Sequence, residues 1–254
     1  VTPTEHAVEI IRQASRIVAL SGAGISTEAG IPDFRGPNGI YQDPTLFAQL
    51  SAKGFAQNPA GFYRAGLKLF PNITQAKPTA AHHLLARLER NRRLRAVVTQ
   101  NIDGLHQAAG SRRVFEIHGT FRTGRCTGCR ASYEMQTFYE EMQNGLSLPP
   151  LCTRCHAAIK PDMVLFDEVL PLDVWEASVG VIENCDLLLV CGSSLQVYPA
   201  AGLPQYALSR GSRLVIVNLE ETPYDRQATA VVRDKLGIFA NAAIAALALG
   251  PSPA

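Results

Sequence analysis

The strongest constraint on this chain is a set of four short apolar runs: IVAL (17–20), AVVT (96–99), LLLVC (187–191) and LVIVN (214–218). None alternates polar with apolar residues, so each reads as a strand covered on both faces. Helix-period patterns lie between and beside them, over 5–14, 80–91, 172–184 and 198–209. Strands alternating with helices predict an α/β fold: a Rossmann-like, doubly wound parallel sheet. Ligands of such sheets sit beyond the carboxyl ends of the strands. Polar residues collect at those ends here, over 21–27, 99–103, 192–194 and 218–221. The expected site is therefore composite, drawn from four separated segments.

Two stretches break this rhythm. Residues 36–79 are rich in Pro, Gly and aromatics, with weak helical patterns, and residues 120–163 carry two CxxC pairs. The expected organisation is a Rossmann-like domain from 1–35, 80–119 and 164–254. A smaller lobe would take its helical part from 36–79 and its zinc-binding part from 120–163. At 254 residues and 46% hydrophobic, the chain is long enough for one large core plus such a module. A net charge of +2 without long charged runs gives no electrostatic case for nucleic acid or an anionic membrane as the main partner. The late apolar stretch 239–250 is too short to cross a bilayer, and no basic region followed by an apolar signal core opens the sequence. A cytoplasmic protein is expected.

The motifs carry the chemistry. In GAGIST (22–27), Gly22 and Gly24 follow a buried strand where backbone can approach a pyrophosphate, with a helix N-terminus expected next to favour negative charge. The third glycine of the dehydrogenase fingerprint is missing, as is an acidic residue about 20 positions on for an adenine ribose. The same turn also occurs in strand-to-helix connections that hold no ligand. TQNIDGLH (99–106) places two amides and a carboxylate after another buried strand, a costly set unless it binds something polar or caps a helix. EIHG (116–119) puts His118 at the end of a short strand, where a lone histidine can be structural or catalytic. GSSLQVYPAA (192–201) adds a further turn, with Gly192, Ser193 and Ser194 able to hydrogen bond phosphate or ribose.

Cys126, Cys129, Cys152 and Cys155 form C-x2-C-x22-C-x2-C, two thiolate knuckles that can close a tetrahedral site around one zinc ion. Four thiolates leave no open position for water, so the zinc is expected to be structural. Cys185 and Cys191 flank or end a buried strand and read as small core residues.

Taken in order, GAGIST with IPDFRG, TQNIDGLH, EIHG, the two CxxC pairs, GSSLQVYPAA and IVNLEETPYD (216–225) closely resemble the sirtuins, the NAD-dependent protein deacylases, in their prokaryotic-type catalytic core. The resemblance runs from about residue 17 to the end. It implies that the first loop is a mobile cofactor lid, with Ala23, Thr27, Asp33, Phe34 and Arg35 around NAD near its phosphates and reactive ribose. Phe34 would cover the anomeric carbon against water. Gln100, Asn101, Ile102 and Asp103 match the ribose and nicotinamide pocket, with Asn101 counted beside His118 as catalytic. Ser193, Asn218 and Leu219 match the adenosine side, with Lys235 and Leu236 near the adenine. His118 matches the general base. As nicotinamide leaves, the acyl oxygen of an acylated lysine attacks the anomeric carbon, and His118 takes a proton from a ribose hydroxyl. The products implied are free lysine, nicotinamide and acetylated ADP-ribose.

MVLFDEVLP (163–171) resembles the family's peptide-binding strand, where substrate backbone adds as an extra strand. Val164 and Phe166 would line the acyl-lysine tunnel, with partner backbone from around Val197. Asp167 departs from the glycine usual there, and VVRDKLG (231–237) departs in the adenine-capping loop. Family members that remove acidic acyl groups share a Tyr-x-x-Arg pair. In GFYRAGLKLF (61–70), Tyr63 is followed three positions later by Gly66, which implies a preference for acetyl and other short neutral groups over succinyl or malonyl. The implied function is an NAD-dependent lysine deacetylase acting on acetyl-lysine in proteins or peptides. Its alternatives are an ADP-ribosyltransferase or a deacylase of other acyl groups. A zinc-ribbon interaction module on an inert scaffold fits less well, because no aromatic-plus-basic stripe is present.

Overall fold

The structure, a computed structural model, describes residues 1–33, 43–67, 69–145 and 147–250. Strands β1 (Ile17–Ser21), β2 (Leu94–Thr99) and β3 (Val114–Glu116) form one half of the main sheet. Strands β4 (Gly119–Cys126), β5 (Ser132–Glu134) and β6 (Ile159–Met163) make a separate antiparallel sheet in the order β5-β4-β6. Strands β7 (Leu187–Cys191), β8 (Arg213–Val217) and β9 (Ala230–Val232) complete the main sheet, which is parallel throughout in the order β3-β2-β1-β7-β8-β9. The chain steps outward from β1 in one direction and from β7 in the other. The boundary between those two strands is the topological switch point, where such sheets hold ligands.

The unbroken apolar character of the strands has a direct cause. Along β1, Ile17 and Ala19 enter the core under helices Pro3–Gln13, Ala80–Arg90 and Leu236–Ala246, while Val18 and Leu20 enter the core under Leu172–Glu183 and Leu203–Ser209. The same division runs through β7 and β8. Both faces of each strand are dry, so both sets of alternating residues are apolar.

The expected helix over 198–209 begins later, at Leu203, after a single 3-10 turn at Ala200–Gly202. Pro204 lacks an N–H and is tolerated only in a helix's first turn, which sets the start. The helix expected after GAGIST is also replaced. Two 3-10 turns, Ala23–Ile25 and Thr27–Ala29, follow β1 instead. The reason is a close backbone crossing: Gly24 N–H donates to the Gly192 carbonyl at 2.9 Å, and a Cβ on Gly24 would lie 2.8 Å from the Gly192 Cα. The loop is held flat against the end of β7 and cannot wind into a regular helix there.

Short helices Pro44–Gln49, Ala52–Gln57, Pro59–Gly66 and Phe70–Thr74 share a third apolar core with the antiparallel sheet and helix Gln136–Gln143. Phe121 and Tyr139 stack with ring centroids 3.9 Å apart, and Phe70 packs against both, at 4.9 and 4.8 Å. Gly66 makes room for this cluster, since a Cβ there would overlap the Phe70 ring at 1.9 Å. Among the described residues, no helix is long and apolar enough to cross a membrane.

Candidate active site

The carboxyl ends of β1, β2, β7 and β8 open into one cavity of about 890 Å³, roofed by the short helices and by the segment after β6. Gly22, Ala23, Gly24, Thr27 and Asp33 line it from the first loop, and Gln100, Asn101, Ile102 and Asp103 from the turn after β2. Gly192, Ser193 and Ser194 line it after β7, Asn218 and Leu219 after β8, and Lys235 and Leu236 after β9. His118, Val164, Phe166 and Val197 complete the set. Phe34 and Arg35 lie outside the described residues.

A hydrogen-bond network joins these strand ends. Gln100 Nε2 donates to Ser193 Oγ at 2.8 Å, linking β2 to β7. Asn101 Nδ2 donates to Ser26 Oγ at 3.1 Å, and Ser26 Oγ donates to Asp103 Oδ2 at 2.7 Å, linking β2 to the first loop. Asp103 also caps helix Leu105–Ala108 by accepting from Leu105 N–H. Burial pushes its carboxyl up, against the pull of these hydrogen bonds. The Asn101 carbonyl oxygen has no protein partner among the described residues and stays available as an acceptor.

Between β3 and β4, His118 is half-buried. Its Nδ1 lies 2.8 Å from the Gln100 carbonyl, which can only accept. That contact places the proton of the neutral ring on Nδ1 and leaves the lone pair on Nε2. Burial lowers the imidazole pKa, favouring the neutral form, and the carbonyl contact opposes the shift.

Sequence reasoning did not single out Ser26, which holds both Asn101 and Asp103, although it lies within GAGIST. Nor did it find Glu28, whose carboxylate accepts from Gly237 N–H at 2.8 Å and ties the loop to helix Leu236–Ala246. An acid 209 residues from a helix start gives no local signal. Tyr63, the tyrosine of the incomplete Tyr-x-x-Arg pattern, is fully buried, its hydroxyl donates to the Ile159 carbonyl at 2.6 Å, and it does not line the cavity. Leu69, Phe70 and Ile73 form the wall contributed by that stretch.

Away from the cavity, the sulfur atoms of Cys126, Cys129, Cys152 and Cys155 all lie within 4.8 Å of one another. The Cys126 sulfur accepts N–H bonds from Gly128 and Cys129, and the Cys152 sulfur accepts one from Arg154 and an O–H bond from Tyr133 at 3.1 Å. The Tyr133 hydroxyl is the main influence holding the Cys152 thiol well below its usual range. Four convergent sulfurs whose inner pair receive hydrogen bonds fit a closed tetrahedral zinc site.

A doubly wound sheet with a composite polar site at its switch point and a four-thiolate module beside it defines a dinucleotide-binding protein with a structural metal lobe. Residues 22–199 match the Sir2 family, and the chain belongs to it. An NAD-dependent protein deacetylase of Thermotoga maritima is 44% identical over 223 residues, 87% of this chain and 89% of the relative. One from Sulfolobus acidocaldarius is 40% identical over 241 residues, 94% and 93% of the two chains. Among solved structures, a Sir2 with deacetylated p53 peptide and 3'-O-acetyl ADP ribose superposes with a TM-score of 0.90 at 40% identity, covering 97% of this chain and 99% of that one. A Sir2–p53 peptide–NAD+ complex gives 0.87 at 39%, covering 96% and 98%.

Proposed function

We propose that this protein is a cytoplasmic NAD-dependent protein lysine deacetylase, which moves the acetyl group of acetyl-lysine in proteins or peptides onto ADP-ribose and releases nicotinamide. The observation that carries the reading is His118. Its lone pair is fixed on Nε2 by the Gln100 carbonyl, in the same cavity as the polar ends of four parallel strands. Family membership and deacetylase relatives across nearly the whole chain support it. The alternating chain order supports dividing the molecule into the Rossmann-like domain and two-part small lobe described above.

NAD, when bound, supplies the ADP-ribosyl group that accepts the acetyl oxygen as nicotinamide departs. Gly22 and Gly24 let backbone approach its diphosphate, and Ser193, Asn218, Leu219, Lys235 and Leu236 hold the adenosine side. Asn101 and Asp103, braced by Ser26, orient polar groups at the nicotinamide end. Val164, Phe166 and Val197 receive the acyl-lysine and its backbone. His118 Nε2 takes a proton from a ribose hydroxyl, a role suited to a half-buried imidazole whose neutral form burial favours. The zinc acts only by holding the small lobe.

The test is incubation with NAD and an acetyl-lysine peptide, with products identified by mass spectrometry. Stoichiometric free lysine, nicotinamide and acetyl-ADP-ribose are expected. Transfer of ADP-ribose to protein without loss of acetyl would overturn the reading.

A further inference from the structure

Asp167 stands on the cavity rim directly after Phe166, in the segment that follows β6. It is exposed, and its φ of 71° lies in the left-handed region that favours glycine. A residue with a Cβ pays backbone energy there, and aspartate is among the few that tolerate it. Its carboxylate makes no hydrogen bond or ion pair among the described residues. The neighbouring acid differs. Glu168 accepts from Leu165 N–H at 2.9 Å and from Lys160 Nζ at 3.0 Å, so its charge is already matched.

The rest of this mouth is apolar or acidic. Val169, Leu172 and Tyr198 line it with large exposed apolar side chains, and Asp173 and Glu176 lie exposed on the helix that follows. The one lysine or arginine lining the cavity among the described residues is Lys235, which follows β9 at the other end of the site. A carboxylate on the rim of a cavity whose described lining offers no cation on that side attracts positive charge entering it.

We infer that Asp167 is a specificity-determining residue that selects acetyl-lysine substrates carrying Lys or Arg within one or two positions of the modified lysine. The inference rests on the deacetylase reading above. A peptide strand pairing with the 163–171 segment, in which the Asp167 N–H and carbonyl make no protein hydrogen bond among the described residues, would bring flanking side chains within reach of this carboxylate, because strand residues are spaced by about 3.3 Å. The pair stays solvated, so the selectivity is moderate and salt-sensitive.

The experiment uses one acetyl-lysine peptide in three forms, with Arg, Gln or Glu at the flanking positions, assayed at fixed NAD with the wild-type protein, Asp167→Asn and Asp167→Gly. In the wild type, kcat/KM for the Arg form should exceed that for the Glu form by roughly three- to fivefold at low salt, mainly through KM, and high salt should shrink the ratio toward one. Both variants should abolish most of the ratio. Because the ratio is taken within each variant, a change in folded fraction cancels. Turnover of all three peptides with a flat wild-type series, or a ratio unchanged in Asp167→Asn, overturns the inference and leaves the deacetylase reading standing. Failure to release nicotinamide with any acetyl peptide overturns both.

Discussion

Two fully buried histidines should make this protein lose stability in mild acid. His82, on helix Ala80–Arg90, and His106, on helix Leu105–Ala108, have ring centroids 4.7 Å apart, and both are no more than 1% exposed. Thr79 N–H donates to His82 Nδ1 at 3.1 Å, so His82 carries its proton on Nε2. Ser21 Oγ donates to Thr99 Oγ1 at 2.8 Å and therefore accepts from His106 Nε2. Each ring keeps one nitrogen with no partner, and a second proton would place an unpaired charge in the core. Burial lowers the pKa values to about 2 for His82 and about 4 for His106.

The sign follows from proton counting. The unfolded chain binds these protons below the ordinary histidine pKa of about 6.5, and the folded chain does not, so folding stability is intact above that pH and falls as pH drops. Integrated from pH 7 to pH 5, each histidine removes about 2 kcal/mol, and the pair about 4 kcal/mol, a large part of a typical domain's stability. Asp103 and Glu116 oppose the trend, because burial raises their carboxyls and the folded state takes up protons there more readily. Comparing variants cancels that contribution. Urea unfolding of zinc-loaded wild type and His106→Gln, which keeps the bond to Ser21, is followed across this range. The variant should lose about 2 kcal/mol less between pH 7 and pH 5. An identical pH dependence would refute the argument that a buried neutral His106 governs acid stability.

Replacing His118 by alanine should lower deacetylation by about 100- to 10,000-fold with circular dichroism and zinc content unchanged, since only a proton acceptor is lost. In the wild type, the acid limb of kcat/KM should fall below the ordinary imidazole pKa, because burial lowers that of His118; a limb above it would contradict the environment described. Cys152→Ser should release zinc and unfold the small lobe, given about 10 kcal/mol of folding free energy in structural zinc sites. Metal analysis and proteolysis would check this, and a metal-free, fully active protein would disprove it. A peptide carrying succinyl-lysine should be turned over at least about 100-fold less efficiently than its acetyl twin, because a carboxylate against the Leu69, Phe70 and Ile73 wall lacks a partner. Equal turnover would mean that a cation reaches the tunnel.

The parts legible in the sequence are those where a residue's type and its chemical duty coincide locally. The four buried strands show as unbroken apolar runs because both faces are covered, and the cysteine pairs show because two knuckles need fixed short spacings. The small lobe was harder to read. Its helices Pro44–Gln49 and Ala52–Gln57 have six residues each, too few for a period to appear, and they are held by an aromatic core rather than by their own propensity. His82 and His106 were invisible for a different reason: a histidine in an apolar stripe carries no mark of the partner that neutralises it, and Ser21 lies 85 residues from His106. The partner of Tyr63 was equally hidden: its hydroxyl donates to the Ile159 carbonyl, 96 residues away, inside the lobe.

These unread contacts determine how the readable motifs work together. The bond from Gln100 to Ser193 crosses from β2 to β7, and the His118 contact to the Gln100 carbonyl attaches the candidate base to the same turn. Thr79 Oγ1 donates to the Ile25 carbonyl and also faces His82 Nδ1, so the buried histidine pair braces the first loop from below. Gly24 and Gly192 brace it from the side through their backbone crossing. The loop thus has one fixed end and continues into residues that carry Phe34 and Arg35. Because the folded chain keeps both rings neutral, this brace persists wherever the fold does, and acid reaches the pair only through unfolding. Loosening the brace directly should show its role: Thr79→Val, which removes the Oγ1 donor to the Ile25 carbonyl, should raise KM for NAD at neutral pH with circular dichroism still native. A KM for NAD unchanged in that variant would separate the histidine pair from the loop.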